Sequence, residues 1–287
     1  MSRVLSRIST SMPWLDQAAA VLKQLSEPIL GGKAPAVLKD ALYGTWLEHP
    51  LHPAITDVPV GCWTATAAFD LLGEERAADA SLKLGVLGAA GAALTGLAQW
   101  YDLQEMEEPR RLGALHATMN TAALGMYVTS WVLRDRGQRD AGVAIALAGF
   151  AIAGTSAWIG GHLSFVLGIG VSRQAFEEPS TKWRTALPET ELVEGQMKRV
   201  EVRDTPVVLL KQGDQIYATS ATCTHVGGPL DEGELDGTCV TCPWHGSQFD
   251  LRDGTLLHGP ATVQLHAYET RVSDGKVQIR LKQETTD

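Results

Sequence analysis

Cys223-Thr224-His225-Val226-Gly227-Gly228-Pro229-Leu230 and, further along, Cys242-Pro243-Trp244-His245-Gly246-Ser247-Gln248-Phe249-Asp250 decide how this chain is read. A Cys-x-His arm and a Cys-x-x-His arm lie sixteen residues apart, His225 to Cys242, and together offer two thiolates and two imidazoles. That donor set suits a tetrahedral zinc. It also suits a two-iron cluster with both thiolates on one iron and both imidazoles on the other. Glycines beside each arm permit tight turns that expose backbone N–H groups, and Pro243 and Pro260 stiffen the surrounding loops.

Working outward, the arms sit in a polar, strand-like half. Period-two patterning predicts short strands at Met197–Val202, Pro206–Leu210 and Gln215–Thr219, and a hairpin of Leu265–Val272 and Lys276–Leu281 across Ser273-Asp274-Gly275. Such spacing points to a small antiparallel sandwich or barrel. With the arms and the later Gly259-Pro260-Ala261, residues 184–282 resemble the Rieske-type [2Fe–2S] ferredoxin domain. The resemblance implies Cys223, His225, Cys242 and His245 as metal ligands, with Gly227, Gly246 and Pro260 shaping the cluster loops. Ser247 would donate to a cluster sulfur. Rieske proteins of cytochrome bc complexes carry a loop-to-loop disulfide whose positions are Gly228 and Trp244 here, and a tyrosine whose position is Phe249. Fewer hydrogen bonds to sulfur imply a potential in the low part of the Rieske range. Cys239 makes a Cys-x-x-Cys with Cys242 and reads as a packed core thiol, while His258 and His266 read as ordinary loop and strand residues.

The preceding half differs sharply, although the mean hydropathy of the whole is only −0.02. Leu84–Tyr101, Leu112–Leu133 and Ala141–Val171 carry no charged residue, and Ala54–Leu72 is a weaker fourth run broken by Asp57 and Pro59. Roughly 20 apolar residues cross a bilayer as a helix, so four spans are expected. Small residues at four-residue steps, Gly85/Ala89/Ala93 and Gly149/Ala153/Ala157/Gly161, are expected to pack helices together. The opening His49-Pro-Leu-His52-Pro-Ala-Ile-Thr-Asp57 is similar to the entry of a bacterial four-helix membrane domain family of poorly defined function. That resemblance covers about residues 45–165.

The expected organisation is an N-terminal segment (1–40), an all-α four-helix transmembrane domain (41–171), a linker (172–187) and an all-β Rieske domain (188–287). Four spans put His49, His52, His116 and His162 near one membrane face. His52, His116 and His162 are therefore candidate cofactor ligands, for haem b or another metal, and Asp57 is a candidate proton relay. The positive-inside count is a tie: Lys33, Lys39, Arg110, Arg111 and Arg173 on one side, Arg76, Lys83, Arg134, Arg136 and Arg139 on the other. The four cysteines form no disulfide framework and no signal peptide is read, which favours a cytoplasmic Rieske domain on a multi-pass cell-membrane protein. A net charge of −9 with no basic stripe excludes nucleic acid as a partner.

The function expected is electron transfer between a reductase and a membrane or soluble acceptor, with a redox partner protein and the lipid membrane as partners and quinone as a further candidate. No catalytic residues are singled out, so the chain reads as a component of an oxidoreductase system rather than a self-sufficient enzyme. The alternatives are a quinol- or haem-linked oxidoreductase with a second centre in the membrane domain, and a redox or oxygen sensor.

Overall fold

The computed structural model describes residues 2–31 and 34–283. Lys33, one of the charges counted above, lies outside them, as do Met1, Gly32 and residues 284–287. The chain divides into two compact units, one of residues up to 42 and 50–169, the other of residues 43–49 and 170 onward.

The first unit is helical: α1 Ser2–Ser11, α2 Trp14–Leu30, α3 Ala36–Tyr43, α4 Leu51–Leu72, α5 Glu75–Tyr101, α6 Glu107–Asp135 and α7 Arg139–Phe165. All four apolar runs are helices, but only α5 and α7 are apolar enough by length and composition to cross a membrane, with mean hydropathies of 1.4 and 1.8. In α4 and α6 the polar residues Asp57, Asp70, His116, Asn120 and Arg134 interrupt the pattern. The three N-terminal helices were not anticipated. α2 packs on α5 and α6 by setting Ala19 against Trp100, Leu103 and Ala114, and Asp16 bonds Arg111 through both carboxylate oxygens (2.9 and 2.7 Å).

α4–α5 and α6–α7 are two copies of one hairpin, offset by 64 positions (His52 to His116). Gly73 and Gly137 end the first helix of each copy at φ +75° and +77°, with the same backbone closure: Gly73 N to Asp70 O and Glu74 N to Phe69 O, against Gly137 N to Arg134 O and Gln138 N to Leu133 O. A Cβ at Gly85 would strike Trp63 at 2.4 Å, and one at the equivalent Gly149 would press Tyr127 at 3.3 Å. Equivalent side chains also meet each other. Trp63 stacks on Tyr127 with ring centres 4.0 Å apart, and His52 meets His116 at 6.4 Å. Asp70 pairs with Arg134 (2.5 Å) and Glu75 with Arg139 (3.4 Å). Residues at the same level therefore face one another across a pseudo-twofold axis running along the bundle.

The small-residue stripes are only partly as expected. Gly85 and Gly149 are buried, but the buried face of α7 continues through Ser156, Ile159 and Leu163, leaving Ala157 exposed. A strict four-residue step drifts off a face that repeats every 3.6 residues.

The second unit is all-β. A six-stranded sheet has the order β1-β10-β9-β4-β3-β2, from β1 Arg184–Pro188, β2 Met197–Val202, β3 Thr205–Gln212, β4 Gln215–Ser220, β9 Ala267–Ser273 and β10 Lys276–Leu281. Its end strands β1 and β2 come close, so the sheet curls towards a barrel. Arg203-Asp204, at φ +52° and +63°, turn β2 into β3, and Asp274-Gly275, at +52° and +69°, turn β9 into β10. A second, four-stranded sheet runs β5-β6-β7-β8: Glu234–Asp236, Cys239–Thr241, Gln248–Asp250 and Leu256–His258. It was not anticipated, because strands of three residues are too short to show a period.

The expected linker belongs to this fold. β1 lies inside it, Trp183 stacks under Arg271 and Arg280 (4.2 and 4.7 Å), and the Gln174 side chain bridges Thr222 O (2.7 Å) and His266 N (2.9 Å). Cys239 is also corrected. In β6 it is Val240, fully buried with Phe249, that faces the core, and Cys239 is half-buried on the opposite face between Asp236 and Asp250.

Asp70 and Arg134 side chains are each only 2% exposed, and Arg134 also bonds Asp79 (3.0 Å). Removing one partner strands a buried charge. Arg134→Leu should therefore cost about 3–5 kcal/mol, read as a lower thermal midpoint of the purified protein. The reversed pair Asp70→Arg/Arg134→Asp should regain part of that loss. Equal melting of Arg134→Leu and the parent would remove the pair from the account.

Candidate metal centre

Both arms fold the same way. Cys223 N donates to Gly228 O (2.9 Å) and Gly227 N to Cys223 O (3.0 Å); Cys242 N donates to Ser247 O (2.8 Å) and Gly246 N to Cys242 O (3.0 Å). The fourth residue after each cysteine is a glycine at positive φ, +92° for Gly227 and +78° for Gly246, where a side chain would be strained. Each arm is thus a loop turned back on its own cysteine. Beneath them lies a core of Val208, Leu210, Leu230, Val240, Phe249, Leu251 and Leu265.

The two loops bring the four expected ligands together. Cys223 and Cys242 are buried free thiols joined by a hydrogen bond. The Cys223 thiol is pushed up by that bond and by burial. The Cys242 thiol is lowered, chiefly by the bond from Cys223 and then by the N–H groups of Trp244 and His245. Ser247, fully buried, hydrogen-bonds Cys223, and its Oγ accepts from Ala261 N (2.9 Å). The Pro260 loop, whose Gly259–Pro260 peptide is cis, is thereby tied to the first cysteine, and Thr224 Oγ1 donates to Val263 O (2.7 Å) on the same loop.

His225 and His245 lie with ring centres 5.1 Å apart and planes at 88°. Burial first, then His245 and Arg173, lower His225 to about 3, which keeps it in the neutral, ligating form. Metal–nitrogen bonds of about 2 Å, with each ring centre about 1 Å beyond and a tetrahedral spread, put two ring centres roughly 5 Å apart. The pair thus fits one tetrahedral iron. Among the described residues no group of three or more His, Cys, Asp or Glu side chains is placed to hold a single metal ion, as a structural zinc requires. A thiol pair beside an imidazole pair is the donor set that a two-iron cluster would use, with Cys223 and Cys242 for one iron and His225 and His245 for the other. Gly228 leaves the room: a Cβ there would lie 2.7 Å from Cys242 Sγ and 3.2 Å from the Trp244 ring.

Arg173 escaped the sequence reading. Its N–H donates to Thr224 O (3.1 Å), its side chain passes beneath Gly227, and its charge acts on His225. It stands in the stretch read as a linker, and no local pattern marks it. Of the other candidates, His52 and His116 come together and Asp57 is exposed, and among the described residues His162 joins no three-donor group.

Comparison with known proteins agrees with this geometry. Residues 182–269 match the family model of the Rieske [2Fe-2S] domain, and residues 48–173 match that of a predicted membrane protein family, DUF2231. Ferredoxin CarAc of Metapseudomonas resinovorans is 37% identical over 98 residues, 34% of this chain and 92% of the relative. The ferredoxin component of the naphthalene 1,2-dioxygenase system of Pseudomonas putida is 30% identical over 102 residues, 36% of this chain and 98% of that protein. Apoptosis-inducing factor 3 of Mus musculus is 37% identical over 90 residues, 31% of this chain but only 15% of that protein.

Cys242→Ser should abolish the iron–sulfur absorbance and EPR signal; a variant retaining both would overturn the ligand set. Ser247→Ala should keep the cluster but lower its potential. A hydrogen bond worth about 1 kcal/mol more to the reduced state corresponds to roughly 40 mV for one electron, measurable by protein-film voltammetry.

Proposed function

From a chain that belongs over residues 182–269 to the Rieske [2Fe-2S] family, and over residues 48–173 to a predicted membrane protein family, we propose a membrane-anchored, low-potential one-electron carrier. It passes electrons from a reductase to a membrane or soluble acceptor. The observation that carries this reading is the convergence of a buried thiol pair with two imidazoles at right angles.

A cluster held by Cys223, His225, Cys242 and His245 would supply a single-electron couple. The chain's own residues set how that couple behaves. Ser247 and the N–H groups of His225, Trp244 and His245 direct donors at the cysteine sulfurs. Phe249 has no hydroxyl to add and is buried in the core, and Gly228 and Trp244 cannot form an inter-loop disulfide. This modest set of donors supports a potential in the lower part of the range of about −150 to +300 mV. His225 and His245 are only partly buried, and Trp244, 54% exposed, stands beside His245 with ring centres 6.5 Å apart. An exposed aromatic next to the electron's exit is a suitable anchor for a partner protein. Relatives named as ferredoxin components of dioxygenase systems support a reductase on one side and an oxygenase-type protein on the other.

Membrane anchoring rests on the helical unit. Only 22% and 28% of the apolar windows of α5 and α7 are buried within the chain, and Leu84, Leu87, Leu94, Leu147 and Trp158 face outward. A core helix of a soluble bundle would hide such residues. α4 and α6 are joined to α5 and α7 by turns of two to three residues, so each must cross back if its partner crosses. At about 1.5 Å per residue, the 22 residues of α4 reach about 33 Å, enough for a bilayer core. Four spans follow, with the iron–sulfur domain assigned to the cytoplasmic side.

Two measurements test the proposal. The protein should resist extraction of membranes with alkaline carbonate; release into the soluble fraction would remove the anchor. Reduced through a pyridine-nucleotide-linked ferredoxin reductase, it should reoxidise on addition of a Rieske oxygenase, and Cys242→Ser should not support the transfer. Failure of any reductase or strong chemical reductant to reduce the cluster reversibly would refute an electron carrier.

A further inference from the structure

Four equivalent pairs meet on the axis of the four-helix unit. Three explain themselves: Trp63 and Tyr127 stack, and Asp70 with Arg134 and Glu75 with Arg139 form ion pairs. The fourth, His52 with His116, is neither a stack nor a charge pair.

Both histidines are prepared in the same way. His52 Nδ1 lies 2.9 Å from Ala92 O; His116 Nδ1 lies 2.8 Å from Ser156 O and 2.9 Å from Ser156 Oγ. A carbonyl oxygen only accepts, so each Nδ1 carries the proton and each Nε2 carries the lone pair. Asn120 Nδ2, 3.0 Å from His116 Nε2, donates to that lone pair. Glycine admits each ring: a Cβ at Gly96 would lie 2.6 Å from His52 Cε1, and one at the equivalent Gly160 3.0 Å from His116 Cε1. An imidazole anchored through one N–H to a carbonyl, with its other nitrogen basic, is how metal-ligating histidines are held.

The separation distinguishes the possible geometries. Two imidazoles on one tetrahedral metal have ring centres roughly 5 Å apart, whereas two on opposite sides of a metal lie roughly 6 Å apart, from the same bond lengths. The 5.1 Å of His225 and His245 matches the first separation, and the 6.4 Å of His52 and His116 the second. Among the described residues no third His, Cys, Asp or Glu joins the pair, so the in-plane positions of such a metal must be filled by the ligand itself. A planar tetrapyrrole supplies four in-plane nitrogens and leaves two axial positions. We propose that His52 and His116 are the axial ligands of a haem iron on the pseudo-twofold axis of the helical unit. Bundle cores and repeat interfaces are where such folds build cofactor sites from facing helices. Asn120, one turn from His116 on α6, releases Nε2 when iron takes it. The site does not depend on the iron–sulfur reading.

The test is the pyridine haemochrome content and reduced-minus-oxidised spectrum of the full-length protein, purified in mild detergent from cells fed a haem precursor. Stoichiometric low-spin haem is expected. His52→Ala and His116→Ala should each lower haem content at least about tenfold while leaving the iron–sulfur EPR signal in place. His116→Met, which offers a thioether to iron, should retain haem with shifted bands, showing that the helical unit still folds. Cys242→Ser should lose the cluster and keep the haem bands. A parent protein with a full iron–sulfur signal that neither carries haem nor takes up added haemin overturns the proposal. So does a His52→Ala/His116→Ala double variant that keeps haem.

Discussion

Two cysteine sulfurs held side by side away from water are the constraint around which the β unit is built. Thiolates repel each other and lose hydration on burial, so the backbone must bring them together and supply N–H groups in place of water. The matched loops at Cys223 and Cys242 do this, each closed on its own cysteine by a pair of backbone bonds and each turned by a glycine at positive φ. Ser247 links the sulfur layer to the covering loop, and Gln174 fastens the entering chain to Thr222 just before the first cysteine. The apolar layer of Phe249, Leu251 and Leu230 beneath the loops keeps them at fixed spacing. The long strands contribute stability at a distance, and the short ones, β6 and β7, lead into and out of the second loop.

What could be read from the residues follows the range of the forces involved. The ligand loops were legible because coordination chemistry restricts the residue types and the turns restrict their spacing, all within a short stretch. The four long helices were legible because absence of charge over such lengths has few other meanings. β5 to β8 were not, being three residues each and held by pairing to one another rather than by their own pattern. Cys239 was misplaced by one strand face, because Val240 rather than the thiol takes the core position. Arg173, Gln174 and Trp183 looked like linker because their partners, Thr224, Thr222, His266, Arg271 and Arg280, are far away in sequence. The hairpin repeat escaped notice for a similar reason: outside glycines, alanines, Leu51/Leu115 and His52/His116, equivalent positions differ in identity.

The facing pairs of the helical unit depend on its two hairpins differing in sequence. In a symmetric dimer of a single hairpin, every residue on the axis faces a copy of itself, so a carboxylate would confront a carboxylate. Asp70 facing Arg134, and Glu75 facing Arg139, have no place in such a dimer. They require two hairpins of different sequence within one chain, and each pair makes its hairpin a poor partner for a copy of itself. His52 and His116 are the facing pair on that axis with the same residue on both sides.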